Sequence, residues 1–353
     1  MKDVLRRHFS LYPEMLPQDA VKLLYQSAFG GGHLITAPDE ALLRLEGERE
    51  QVSIVPGKPL WEELGGGIVR LYLSSPECED LPSSLINRMF VFSAAQIAER
   101  ADAKERFLSS LDTLRELTKA GEAPFSLSAL DAYLTEYRAS GYPAVSHSEQ
   151  YRTLYAPAYR VMEKRTAALL PLFCLTEALL SGVADPILIA LDGPAASGKT
   201  TAAELFSSLY DCNVFHMDDY FLPPSMRTEK RLSSPGGNVH YERFREEILS
   251  GIASGEPFSY RRFSCSDGTL SEPISVMPKR LNVIEGSYSH HPELSDVYTL
   301  RVFLCISEEE QKTRILLRNG KEGLDRFLDR WIPLENRYFS AFDIKENADL
   351  ILT

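Results

Sequence analysis

One stretch constrains this chain more than any other: Ile187-Leu-Ile-Ala-Leu-Asp192, followed by Gly193-Pro194-Ala195-Ala196-Ser197-Gly198-Lys199-Thr200-Thr201. The apolar run Ile187–Leu191 predicts a buried strand. The segment from Gly193 to Thr200 fits G-x-x-x-x-G-K-[ST], the Walker A pattern, without a mismatch. A helical stretch from Thr201 to Leu209 supplies the strand–loop–helix context that the pattern requires. Gly193 and Gly198 let the backbone curl so that its N–H groups face one anion, and the helix behind adds its positive end. Lys199 is expected to reach the β- and γ-phosphates, and the Thr200 hydroxyl to join a magnesium shell. Gly193 through Thr201 are therefore the candidate nucleotide-binding residues, with ATP and Mg2+ as the expected cofactors.

The rest of the chain narrows the setting. At 353 residues it is about two domains long. A net charge of −12 lacks the basic footprint of a general nucleic-acid binder. The five cysteines, Cys78, Cys174, Cys212, Cys265 and Cys305, lie far apart without a C-x-x-C pair, which disfavours structural zinc and a disulfide framework. Met1–Ser10 is charged, unlike a signal peptide. The most apolar helical stretch, Ala167 to Leu180, is too short to span a bilayer and contains Glu177. The expectation is a cytoplasmic protein without a nucleic-acid or membrane partner, its oligomeric state open.

Residues 1–182 read as a mostly α-helical domain. Pro17–Phe29 has apolar residues three and four apart and stops at Gly30-Gly31-Gly32. Glu40–Gln51, Pro82–Arg100, Ala103–Ala120 and Leu127–Ser140 share that rhythm. Gly65-Gly66-Gly67 followed by Ile68–Leu73 predicts a turn and one short strand. Tyr151–Leu180 predicts one or two helices, interrupted near Pro157 and Pro171. His33 and Arg70 follow the two glycine loops, and His147, Tyr151 and Tyr155 stand four apart. Such a row lines a pocket or packs as an aromatic stripe, and the stripe is the commoner outcome. No chemistry follows from this half.

Residues 183–353 read as an α/β domain. Short β-rich runs at Ile187–Leu191, Asn213–Met217, Leu281–Ile284, Leu300–Ile306 and Leu350–Leu352 alternate with helical stretches, which predicts a parallel five-stranded sheet with helices on both faces. Ligands then gather at the carboxyl ends of the strands. After the second run comes Asp218, placed to take a proton from a substrate hydroxyl or to hold magnesium through water. After the third comes Glu285, directed at the magnesium region. After the fourth, Arg314 and Arg318 stand four apart on a helix, and Lys321, Arg326 and Arg330 follow. Arginines folding over a triphosphate would neutralise charge developing in phosphoryl transfer.

The order GPAASGKTT, HMDDYFLPP, NVHYERF, VIEGSYSHHP, RILLRNG and WIPLENRYF resembles the uridine kinase/phosphoribulokinase family of P-loop kinases over about residues 185–353. The resemblance implies ATP-dependent phosphorylation of a small molecule's hydroxyl, a nucleoside first among acceptors. It makes Asp218 the catalytic carboxylate, with Lys199 and the lid arginine Arg318, and Glu285 a magnesium-linked carboxylate beside Thr200. Arg314 joins the nucleotide-binding set. Tyr220, His240, Tyr260 and Arg262 are the expected acceptor-binding residues, with Phe221 an alternative to Tyr220. Two stretches depart from the family: Val239-His240-Tyr241 lacks the leading aspartate of D-H-P-D-A-F, and Tyr260-Arg261-Arg262-Phe263 replaces a Y-D-F…H-S-R hairpin. A kinase of a non-nucleoside alcohol, or an ATP-binding switch reporting to the helical half, stays as an alternative.

Overall fold

A computed structural model describes residues 1–182 and 185–353. The chain divides into two compact units, Met1–Leu170 and Pro171–Thr353. The expected boundary at 182/183 touches residues 183 and 184, which lie outside the described residues. The observed division falls earlier, and the Leu170–Ser181 helix packs with the second unit: the Phe173 ring meets the Phe206 ring edge-on at 5.3 Å.

The first unit is mostly helical, with helices at Lys2–Leu11, Pro17–Phe29, Pro38–Arg49, Ser83–Ala98, Ala103–Lys119, Leu127–Ala139 and Glu149–Tyr155. It also contains a sheet of β1 (Trp61–Gly65), β2 (Ile68–Tyr72) and β3 (Tyr159–Glu163), in the order β1-β2-β3 and antiparallel throughout. The expectation of one strand is thus corrected to three, and part of the expected Tyr151–Leu180 helix is β3. Gly65, Gly66 and Gly67 all have positive φ, at 83°, 63° and 73°, which glycine adopts without steric cost. That turn folds β1 back on β2. Pairing of Ile68 with Glu163 spans too much sequence for local periodicity to reveal.

Arg70, at the centre of β2, is only 2% exposed. Its Nε and Nη2 both donate to Gln26 Oε1, at 3.0 and 2.8 Å, and its guanidinium lies 4.7 Å from the Tyr159 ring centroid. Glu62, 3.6 Å away, supplies the countercharge that a buried cation needs. His147 precedes the Glu149–Tyr155 helix, stacks on Tyr151 at 4.1 Å, and is held by Asp19 Oδ1 at 3.1 Å and the Tyr159 hydroxyl at 2.6 Å. The His147–Tyr151–Tyr155 row is packing: Tyr12 contacts both tyrosine rings, at 5.3 and 5.0 Å. His33 is exposed, edge-on to Tyr25 at 5.6 Å.

The second unit contains β4 (Ile187–Asp192), β5 (Cys212–His216), the short antiparallel pair β6 (Phe258–Tyr260) and β7 (Ile274–Val276), β8 (Leu281–Glu285), β9 (Leu300–Leu304) and β10 (Leu350–Leu352). Five of these form a parallel sheet in the order β10-β9-β4-β8-β5. Every residue of β4 and β8 is buried, as expected of central strands covered on both faces. The sheet fulfils the sequence expectation strand for strand. Among the described residues no helix is long and apolar enough to cross a membrane.

Candidate active site

Strand register assembles the site. Glu285, the last residue of β8, pairs with Leu191 on one side and His216 on the other. The carboxyl ends of β4, β5 and β8 are therefore level, and the loops leaving them, with Gly193, Asp218 and Ser287, open into one space. This is the edge at which parallel sheets collect ligands.

The phosphate loop leaves β4 at Asp192. This buried carboxylate accepts the Gly193 N–H at 2.7 Å, the His290 N–H at 2.9 Å and the Tyr338 hydroxyl at 2.8 Å. Gly193 has φ 143°, and a Cβ there would lie 2.3 Å from the Leu304 carbonyl oxygen, so the loop can leave the strand at this point only as glycine. The helix Lys199–Leu209 begins behind Gly198 and aims its first N–H groups at the loop's interior. Lys199 Nζ donates to Gly193 O at 2.8 Å and Pro194 O at 2.9 Å. Ser197 Oγ is buried without a hydrogen-bond partner.

A cavity of about 520 Å3 opens in front of this loop. Ala195, Ala196, Gly198, Lys199, Thr200 and Thr201 line one wall, and Asp218, Glu285, Ser287, Tyr288, Arg314, Arg318 and Glu335 add further polar side chains. Gly193, Pro194 and Ser197 support the loop from outside that lining. Thr200 Oγ1 stands 3.3 Å from Glu285 Oε2, and His216 Nδ1 lies 2.6 Å from Glu285 Oε1. That hydrogen bond to the carboxylate raises the His216 pKa above its ordinary value. The Asp218 side chain is open to the cavity yet surrounded by enough protein to lose much of its hydration. This desolvation, and then the Glu285 charge, push its pKa above the usual carboxylate range.

Arg314 donates from Nε to Glu310 at 2.8 Å and from Nη1 to the Ala196 carbonyl at 3.1 Å. Arg318 donates from Nε to Asn319 Oδ1 at 2.8 Å and lies 5.7 Å from the Phe327 ring centroid. Both stand on the helical stretch Glu308–Arg326, which is broken at Gly320, where φ is 70° and ψ −178°.

The four expected acceptor residues lie outside this cavity's lining. Tyr220 is fully buried and its hydroxyl donates to Glu247 at 3.1 Å. Tyr260, on β6, packs 5.7 Å from Phe215. Arg262 pairs with Asp219 at 3.3 Å. His240 Nδ1 accepts the Arg243 N–H at 3.2 Å and caps a short helix. Sequence reasoning overlooked Glu335 and His216. Both lie inside the quoted motifs WIPLENRYF and HMDDYFLPP, but their partners, Ala195 and Glu285, are remote in sequence.

No protein-family model matches the chain. Two relatives are similar to it: a uridine kinase of Mycoplasma genitalium, 27% identical over 186 residues, and a uridine kinase of Mycoplasma pneumoniae, 23% identical over 179 residues. Each alignment covers 47% of this chain and 84% of the relative. Among solved structures, a possible uridine kinase from Bacillus stearothermophilus aligns with a TM-score of 0.40 and 18% identity, over 51% of this chain and 96% of the other. A putative fructose transport system kinase from Silicibacter sp. TM1040 aligns with a TM-score of 0.41 and 20% identity, over 51% and 98%. In its motif order and its parallel sheet the second unit is similar to uridine kinase-like P-loop kinases, the kind to which these curated relatives belong.

Proposed function

We propose that the second unit transfers the γ-phosphoryl group of ATP to a hydroxyl of a small molecule. The observation that carries this reading is the meeting of a phosphate loop and a carboxylate of raised pKa, Asp218, in one cavity. A nucleotide-binding switch needs the loop but not a base.

Phosphate oxygens replace the Gly193 and Pro194 carbonyls as partners of Lys199, while the loop N–H groups hold the remaining oxygens. The acceptor hydroxyl gives its proton to Asp218 as its oxygen bonds to phosphorus and the bond from phosphorus to the β-γ bridging oxygen breaks. A raised pKa makes Asp218 a stronger base for that proton than a solvated aspartate. Arg314 and Arg318 offset the charge on the phosphoryl oxygens. The residues also fit magnesium: Thr200 and Glu285 are hard oxygen donors side by side. Among the described residues no larger group of carboxylates, histidines or cysteines could hold a metal. Magnesium commonly completes its shell with phosphate and water. When bound, magnesium neutralises phosphate charge.

The curated relatives' name brings uridine forward as the first acceptor to try. The test is ATP consumption by purified protein against nucleosides, sugars and other alcohols, with mass spectrometry of the product. Phosphorylated uridine or cytidine supports a nucleoside kinase, and product from another alcohol supports the kinase without the nucleoside. Tight ATP binding without product from any acceptor refutes the proposal.

A further inference from the structure

We infer that the acceptor is an alcohol bearing an anionic group on an apolar or aromatic body, an inference that rests on the kinase reading above. A second cavity, of about 600 Å3, shares Phe221 and Trp331 with the phosphate cavity. Its volume is that of a small-molecule site. The two shared rings lie 6.0 Å apart, centroid to centroid, and separate a space lined by the phosphate loop from one that contains none of it.

Behind those rings the lining is of two kinds. Leu232, Pro333 and Leu334 add apolar surface, and Arg227 and Arg330 bring cations. The arginines stand on different elements: Arg227 closes the Pro224–Met226 turn, and Arg330 belongs to the segment Phe327–Trp331. Arg227 Nε donates to Leu222 O at 2.8 Å, which fixes the guanidinium and engages one of its five donors. Arg330 lies 5.0 Å from the Trp331 ring centroid. Among the described residues neither arginine makes an ion pair, whereas nearby Arg231 is tied to Glu242 at 2.7 Å.

Asp329 is the one carboxylate among the residues lining this cavity, so two cations face one anion. A guanidinium is the cation best shaped for a carboxylate or phosphate. Both arginines are exposed and hydrated in the free protein; an acceptor seated against them displaces part of that hydration, and a neutral one returns no countercharge for it. An anionic acceptor supplies the countercharge. Asp329 and Asn238, also in the lining, remain as hydrogen-bond acceptors for hydroxyl or amide groups. The hydroxyl to be phosphorylated then reaches past Phe221, three residues beyond Asp218 in sequence.

The test measures binding of matched pairs to the full chain in the presence of MgADP. The probes are 4-(hydroxymethyl)benzoate with its amide, 6-hydroxyhexanoate with its amide, and uridine 5′-monophosphate with uridine. Ligand-observed NMR titration should show the charged member of at least one pair binding ten-fold or more tightly. Arg227→Gln and Arg330→Gln should each reduce that preference several-fold, and Arg330→Lys should retain part of it. The thermal unfolding midpoint of each variant separates misfolding from lost recognition. Absence of any charge preference, or its survival in both glutamine variants, overturns the inference. Mass spectrometry of ATP reactions then separates the two claims. A neutral acceptor phosphorylated equally by parent and both variants overturns the inference and leaves the kinase standing. Anion-selective binding without product from any acceptor overturns the kinase reading, and with it the word acceptor.

Discussion

Glu335 Oε2 accepts the backbone N–H of Ala195 at 2.9 Å, although 140 residues separate the two. Its other carboxylate oxygen accepts the Ser287 hydroxyl at 2.7 Å. Gln311 Nε2 donates to the Ala195 carbonyl at 3.0 Å. The phosphate loop is thus braced by the helices between β9 and β10 and not by its own strand alone. Glu335 is a positioning residue in this arrangement, and burial raises its pKa.

Replacing Glu335 with alanine leaves the buried Ala195 N–H without its acceptor, at a cost of about 1–3 kcal/mol, while the Ser287 hydroxyl keeps the Gly193 carbonyl at 3.2 Å. The expected result is ATP affinity reduced by about ten-fold or more, with a smaller loss in Glu335→Gln, which keeps one acceptor oxygen. Titration with ATP checks this. Parental affinity in Glu335→Ala would show that the brace does not shape the loop.

Asp218→Asn removes the proposed base and keeps the side chain's volume. ATP affinity should stay close to the parent's while turnover falls by a factor on the order of 10²–10⁴. In the parent, turnover should fail on the acid side as Asp218 takes up a proton. Because its pKa is raised, that loss begins at a higher pH than for an ordinary aspartate. Steady-state kinetics with whichever acceptor is phosphorylated tests both statements.

Gly193→Ala places a methyl group against the Leu304 carbonyl, at a φ that side chains rarely adopt. The backbone must shift at the mouth of the loop. Loss of measurable ATP binding together with a lowered unfolding midpoint is expected, and a variant that binds ATP normally would contradict the geometry.

The first unit should lose stability as pH falls from 7 towards 4. Burial holds His8 and His147 down to about 4, well below the ordinary value of about 6.5. Between those pH values the unfolded chain binds the protons that the folded chain refuses, so unfolding becomes easier with acid. Each pKa unit corresponds to about 1.4 kcal/mol, so the two histidines together set an upper bound of roughly 7 kcal/mol. The chain has two tryptophans, so a Trp331→Phe variant leaves Trp61 as a reporter within the first unit. Urea unfolding followed by its fluorescence gives the slope, and His147→Asn should flatten it.

The sequence made β4, the phosphate loop and its helix legible because their pattern is local: an apolar run, two glycines at fixed spacing, then a helix. Asp218 and Glu285 were legible because parallel strands deliver their last residues to one edge, so sequence position relative to a strand end is already spatial information. β1 and β3 were not, since a five-residue strand such as Tyr159–Glu163 is stabilised by a partner almost a hundred residues away. Tyr220 and Tyr260 illustrate the reverse error. Aromatic residues beside a motif look like pocket walls in one dimension, but here they pack in the core. Arg330 was noticed as a phosphate-directed cation, yet the lining it joins is that of the second cavity.

Phe221 and Trp331 each present surface to both cavities. A ring that shifts when one space fills redraws the boundary of the other, so the free energy of that shift is common to both ligands. Reciprocity then fixes a quantity that needs no structure to measure: the factor by which nucleotide changes acceptor affinity must equal the factor by which acceptor changes nucleotide affinity.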